Sequence, residues 1–220
     1  MKIHSVNVGL PKFVEINGKD VLTAIYKTPV SNRIWLNKLL LMGDGQADLT
    51  VHGGEHQAVY SYPLEHYKYW QTKLSSEALT IGTFGENFTV SGLLESEMQI
   101  GDILQIGSQE TGAVVQVTTP RIPCFKFGHK IGRPDILNEF LHSGRSGFYQ
   151  RVLTEGEVGS GDNITLLERA SHSISIRTAL GLQKLNEGDA STLKKALAIR
   201  SLAPLLREIF EARLASEFAM

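Results

Sequence analysis

Around residue 169 the chain changes period. Up to about residue 168 it runs as short stretches of alternating or β-branched apolar residues broken by turn formers, and beyond Arg169 its apolar residues recur at helical spacing. FVEI, NGKD and VLTAIYK read as a hairpin, because Asn17-Gly18 supplies the positive φ that a tight turn demands. NFTV, ILQI, AVVQV and NITLL are further strand-like runs, and the pairs Gly43-Asp44, Gly101-Asp102 and Gly161-Asp162 at their edges read as turn punctuation rather than chemistry. Many short strands with turns at this spacing predict a mainly β fold, a barrel or a sandwich.

Two short helices interrupt this pattern. Pro63 suits the first turn of LEHYKYWQTKL, and Pro134 that of DILNEFL, where Ile136, Leu137 and Phe140 share a face. The tail reads as three helices: ISIRTALGLQKL, STLKKALAIR after the breaker around Gly188, and SLAPLLREIFEARL with Ser201 as N-cap. This divides the chain into a β domain over residues 1–168 and a small helical domain over residues 169–220.

Hydrophobic residues make up 42%, charged residues 20%, and the net charge is -1, an ordinary globular composition with no footprint for nucleic acid. A helix-turn-helix reading of the tail fails on charge, since residues 171–220 carry seven Lys and Arg against five acids. MKIHSVNVGLP lacks a stretch of signal-peptide length, and no run approaches the roughly 18 apolar residues of a membrane span. The expected location is the cytoplasm.

Chemistry concentrates in four stretches. TTPRIPCFKF holds the only cysteine, Cys124, which is either an inert buried thiol or a reactive one. Pro120 and Pro123 predict an irregular, fixed loop here, and Arg121 and Lys126 add positive charge that favours a thiolate. In GDGQADLTVHGGEHQAVYSYP, His52 and His56 lie four apart with Glu55, yet the glutamate stands in the wrong place and two glycines oppose the helix a zinc site of that kind needs. What remains is a glycine-rich turn open to an anion and flanked by His52, or simply a tight connection between strands. In FGENFTVSGL, Asn87 precedes a strand and by itself suits a turn. In YKTPVSNR, Lys27, Thr28 and Arg33 surround a proline turn; cations beside a hydroxyl suit a phosphate, and exposed ones suit water.

Together, KTPV (27–30), GDGQADLTVHGG with QAVYSYP (43–63), GENFTVSGL (85–93), IGDILQIG (100–107) and PRIPCFK (120–126) resemble the MOSC domain, named for the C-terminal domain of molybdenum cofactor sulfurases, and within it the YiiM-type proteins. The resemblance covers most of residues 20–168, and the helical tail is similar to the small C-terminal domain of that group. It implies a barrel-like domain that binds a molybdenum cofactor, a molybdopterin-type pterin, with Cys124 as the molybdenum ligand and catalytic residue. Lys27 and Thr28 stand where the family has a Lys-Ser pair near the pterin phosphate, Asn87 matches a polar residue of the cofactor groove, and His52 belongs to the subgroup. Where other members read Gly-Asp-Arg this chain has Gly43-Asp44-Gly45-Gln46, so Arg33 or Arg121 has to supply that charge.

The implied activity is reduction of N-hydroxylated small molecules, nucleobases or amidoximes, with electrons from an external electron-transfer protein such as a flavoprotein reductase, because no flavin or haem motif is visible. The rival use of the same cysteine is sulfur transfer through a Cys124 persulfide. The tail's apolar stripe is left free to pack on the β domain, on a second subunit in a homodimer, or on the electron donor; a dimer contact or a cap over the cofactor groove is the expectation.

Overall fold

The computed structural model describes residues 1–47, 53–75 and 78–218. Its strands are β1 (Lys2–Val8), β2 (Lys12–Ile16), β3 (Lys19–Thr23), β4 (Thr28–Val30), β5 (Ile34–Leu36), β6 (Val59–Pro63), β7 (Phe88–Ser91), β8 (Ile103–Ile106), β9 (Ala113–Pro120), β10 (Phe148–Thr154), β11 (Gly156–Val158) and β12 (Ile164–Glu168). The helices are α1 (Glu65–Lys73), α2 (Phe125–Ile131), α3 (Ile136–Ser143), α4 (Ile176–Leu180), α5 (Ala190–Leu197) and α6 (Pro204–Phe218). The expected hairpin is β2–β3, and both turn residues take positive φ, 52° at Asn17 and 75° at Gly18.

Eight strands form one sheet in the order β12-β8-β9-β10-β6-β7-β1-β4. The Lys2–Asn163 bridge and the backbone bonds from Ile3 N–H to the Asp162 carbonyl and from Gly161 N–H to the Ile3 carbonyl, both at 2.9 Å, bring β1 against the residues just before β12, but among the described residues they do not make a continuous ladder, so the sheet is large and mixed without a closed barrel. Strand count and turn spacing are local properties, whereas closure depends on how far the whole sheet coils before its edges meet. The sheet is mixed because β6 and β7 run parallel, and α1 lies in the connection between them, as a parallel pair requires.

Both faces of the central strands are buried, and residues alternate between them. From β6, Val59 joins the larger apolar cluster, while Tyr60 and Tyr62 join a second, aromatic one with Trp70, Phe84, Phe127 and Phe140. Trp70 donates to the Tyr62 hydroxyl at 2.7 Å, so burial leaves the indole N–H satisfied.

The tail packs into the larger cluster. Ile176, Leu182, Leu193, Ala196, Leu206 and Phe210 share it with Val115, Val117 and Phe148 of the sheet, so the change of period at residue 169 is a change of element type within one continuous core. Ser175 caps α4 by accepting from Thr178 N–H at 3.1 Å, and Asp189 caps α5 by accepting from Thr192 N–H at 2.9 Å. The last helix starts at Pro204, so Ser201, the expected N-cap, falls short of its start, while Pro204 of the same segment takes the first turn, where its missing N–H has no helical partner. A π turn, Gly181–Leu185, continues α4. Among the described residues no helix is long and apolar enough to cross a membrane.

Candidate functional site

The loop expected around Cys124 is half right. β9 runs through Pro120, which pairs with Phe148, and Cys124 then stands at the N-cap of α2, a helix not foreseen from the sequence. Pro123 tolerates this position because it precedes the helix. Cys124 is half-buried and lies where two cavities meet.

The smaller cavity, of about 110 Å³, is bounded by the segment after β3, the turn before β7 and the strand end at Arg121. Among the described residues its charged lining is Lys27, Arg121 and Lys126 against the single carboxylate of Asp44. Lys27 donates to both Asp44 oxygens, at 2.5 and 2.7 Å. Asp44 also accepts from Gly9 N–H and from the Asn87 amide, both at 2.8 Å. Burial pushes the Lys27 ammonium below its ordinary pKa, and the Asp44 carboxylate beside it works against that shift.

Asn87 lines this cavity, yet its side chain is occupied: Oδ1 accepts from Tyr60 N–H at 3.1 Å, and Nδ2 donates to Asp44 and to the Asn7 carbonyl. It braces the wall. Gly85, two positions earlier, has φ of +76°, and a Cβ there would meet Ile25 at 2.8 Å, so only glycine lets these segments close over the cavity.

Arg121 is 5% exposed. Its guanidinium lies against the rings of Phe127, Phe140 and Tyr60, at 4.6, 5.3 and 5.4 Å from their centroids. Buried Nη1 has no protein partner, although a buried guanidinium N–H needs one. Burial pushes the Tyr149 phenol up, with Arg121 opposing the shift. Lys130 on α2 donates to the Ile25 and Gly82 carbonyls, at 2.8 and 2.5 Å, and burial pulls its pKa down to about 8.

The larger cavity, of about 860 Å³, extends from Cys124 to the tail, between the 3-10 turn Glu55–Gln57 and the residues at the start of α6. Burial, and then the Arg151 charge, push the His56 imidazole below its ordinary pKa.

The expected site residues thus divide. Cys124, Lys27, Asn87 and Arg121 come together around the smaller cavity. Thr28 is exposed on β4 and lines neither cavity, and Arg33 pairs with Asp162 at 2.6 Å and with the Glu157 carbonyl at 2.9 Å, away from both. His52 lies outside the described residues. Asp44, set aside in sequence as part of a turn, is the acid that holds Lys27 and Asn87 in place; its signal was an aspartate in a glycine-rich segment downstream of a lysine. Lys130 carried no signal of its own, and His56 entered only through the zinc pairing that its glycines oppose.

A family model for the MOSC domain fits residues 48–165, more than half of the chain. The chain belongs to the MOSC domain family. It is similar to YflK of Bacillus subtilis (strain 168), an uncharacterized protein, with 41% identity over 201 residues, covering 91% of this chain and 87% of that protein. The structure of YiiM from Geobacillus stearothermophilus superposes with a TM-score of 0.80 at 35% identity, covering 97% of this chain and 98% of that one, and the chain is of the YiiM type. A protein named reductase from Gibberella moniliformis (strain M3125 / FGSC 7600) is 32% identical over 154 residues, covering 69% of this chain but only 27% of that protein. Lys27 and Asp44 precede the stretch matched by the family model and still complete the cavity around Cys124.

Proposed function

We propose that the chain is a molybdenum-cofactor-dependent reductase of N-hydroxylated small molecules, in which Cys124 holds the metal. One observation carries this reading: the half-buried Cys124 lies between a small cationic cavity and a large open one, so a metal on its sulfur would face a cofactor on one side and a substrate on the other. A single thiolate cannot hold a metal alone, and among the described residues no three His, Cys, Asp or Glu side chains cluster as a metal-binding set. The metal would therefore arrive with ligands of its own.

The residues fit an anionic, sulfur-rich pterin. The buried Arg121 Nη1 lacks a partner, and Lys27, Arg121 and Lys126 outnumber Asp44 around the cavity. Lys27 and Arg121 would bind the anionic end, Cys124 would bind the metal, and Asn87 would keep Asp44 and Lys27 aligned. When bound, the cofactor supplies the redox chemistry, and the protein supplies orientation and charge. In the net reaction an N–OH group takes up two electrons and two protons, the N–O bond breaks, and N–H and water form; the electrons come from a separate redox protein.

Co-expression with an intact cofactor pathway, followed by molybdenum and pterin quantification, tests this reading. Stoichiometric metal that disappears in Cys124→Ser, and benzamidoxime reduction with a reconstituted flavoprotein donor, are expected. Sulfane sulfur on Cys124 without metal would replace the reductase with a sulfur carrier.

A further inference from the structure

The Lys130 ammonium stands in an unfavourable place. Burial lowers its pKa, Glu86 opposes the shift, and the Arg121, Lys27 and Lys12 charges add to it, so the group lies among more cations than acids. Its hydrogen bonds do not account for this position. Both carbonyls that accept from it already have backbone donors: Ile25 accepts from Lys27 N–H at 3.1 Å, and Gly82 from Gly85 N–H at 3.0 Å. Carbonyls satisfied in this way do not by themselves call for a buried charge.

The two bonds join opposite walls of the smaller cavity. Lys130 lies in the last turn of α2, and Cys124 is the N-cap of the same helix, about 9 Å away along its axis. Phe127 anchors the middle of α2 in the aromatic cluster, and an anchor in the last turn fixes the direction in which the N-terminus points. Across the cavity, Ile25 belongs to the lining, two residues before Lys27. Gly82 packs so closely on Lys27 that a Cβ would lie 2.5 Å from its carbonyl oxygen, and Gly82 N–H donates to the buried Glu86 Oε1 at 3.0 Å. The ammonium is also 5.5 Å from the ring centroid of Tyr26, between Ile25 and Lys27. One side chain on the Cys124 helix thus reaches three points on or against the Lys27 segment.

We infer that Lys130 is a positioning residue that sets the gap between the two walls, with the Cys124 helix on one side and residues 25–27 on the other. The inference deepens the proposed reductase reading and rests on it, because a sulfur that holds the metal and a cation that binds the anionic end must stand at the span of one cofactor. Lys130 lines neither cavity, so it acts through Cys124 and Lys27 rather than on the ligand. An ammonium suits the task, since its charge-assisted bonds to carbonyls are shorter and stronger than those of a neutral donor.

Lys130→Met, which removes the donors and keeps a stem, and Lys130→Arg, which keeps a charge and several donors, test this in the full chain. Hydrogen exchange of the metal-free protein at pH 7 reads the walls, and molybdenum content, kcat and KM with benzamidoxime read the site in the holoprotein. In Lys130→Met, exchange should speed up at Lys27, Phe127 and Gly128, whose N–H groups bond to the Ile25 and Cys124 carbonyls, and stay as in wild type in β9 and β10. Molybdenum should fall or, where it is retained, kcat should drop about tenfold with KM near wild type, as displacement of a reacting group predicts. Lys130→Arg should return both readouts toward wild type. Unchanged exchange at both walls in Lys130→Met, or exchange accelerated equally through β9 and β10, overturns the inference; so do wild-type molybdenum content and kcat in that variant, and so does a Lys130→Arg protein as loose as Lys130→Met. If wild-type protein holds no molybdenum while the walls loosen in Lys130→Met and tighten again in Lys130→Arg, the reductase reading falls and the positioning role stands.

Discussion

Lys27 and Arg33 lie in one proline-turn segment and read alike in the sequence, yet the fold treats them oppositely. The Lys27 side chain is 9% exposed and its partner Asp44 4%, whereas the Arg33 side chain is 43% exposed beside Asp162. Both form ion pairs. The buried pair sits in a medium that magnifies the loss of either partner, and the exposed pair is screened by water and salt. The buried pair also aims a cation at a cavity, while Arg33 ties the chain near β5 to the turn before β12. An ion pair near a site therefore says little until its burial is known.

The strongest way to break this comparison is Asp44→Ala. It leaves Lys27 uncompensated and removes an acceptor from Asn87 and Gly9, so a loss of about 3–5 kcal/mol in denaturant unfolding is expected. A loss below about 1 kcal/mol would mean that water replaces the carboxylate and that the pair is not buried in effect.

Lys130 sharpens the comparison, because this buried cation hydrogen-bonds to carbonyls instead of a carboxylate. Its folded pKa of about 8 lies below the unfolded 10.5, so between these values the unfolded chain binds more protons. The cost of burying the charge is fully present below pH 8 and is relieved as pH rises toward 10.5. Relative to Lys130→Met, the native protein should gain stability from pH 7.5 to 10; parallel curves would show that the ammonium remains hydrated.

The double variant Lys27→Met with Asp44→Leu should recover the part of the Asp44→Ala loss that comes from the uncompensated Lys27 charge, while Gly9 N–H and the Asn87 amide still lack their acceptor. On the proposed cofactor reading it should still lose pterin retention, which separates a role in binding from the role in folding. The smallest effect is expected for Arg33→Ala: less than about 1 kcal/mol, shrinking as salt is added, with molybdenum content unchanged. A drop in molybdenum there would restore Arg33 to the site.

Much of the site was legible because it is carried by short segments with unusual residues. Cys124, Arg121, Lys27 and Asn87 each stand in a motif, and the structure gathers them around one cavity. Asp44 was passed over because an aspartate after a glycine reads as a turn former, and only its distance to Lys27 reveals its task. Thr28 and Arg33 were singled out beside Lys27, which lines the smaller cavity, but the chain turns them away from it. His56, which lines the larger cavity, was set aside together with a zinc motif that did not apply.

The amino-acid order determined what is local: where strands end, where Asn17-Gly18 turns, where helices begin, and that one thiol sits among cations. Those outcomes depend on steric and hydrogen-bonding preferences over a few residues. The tertiary structure alone decided that eight strands join in one mixed sheet, that β6 and β7 run parallel, that the tail shares the sheet's core, and which of two neighbouring cations is buried. Each of these turns on contacts between distant segments, where the free energy of excluding water is shared by residues that no sequence window contains together.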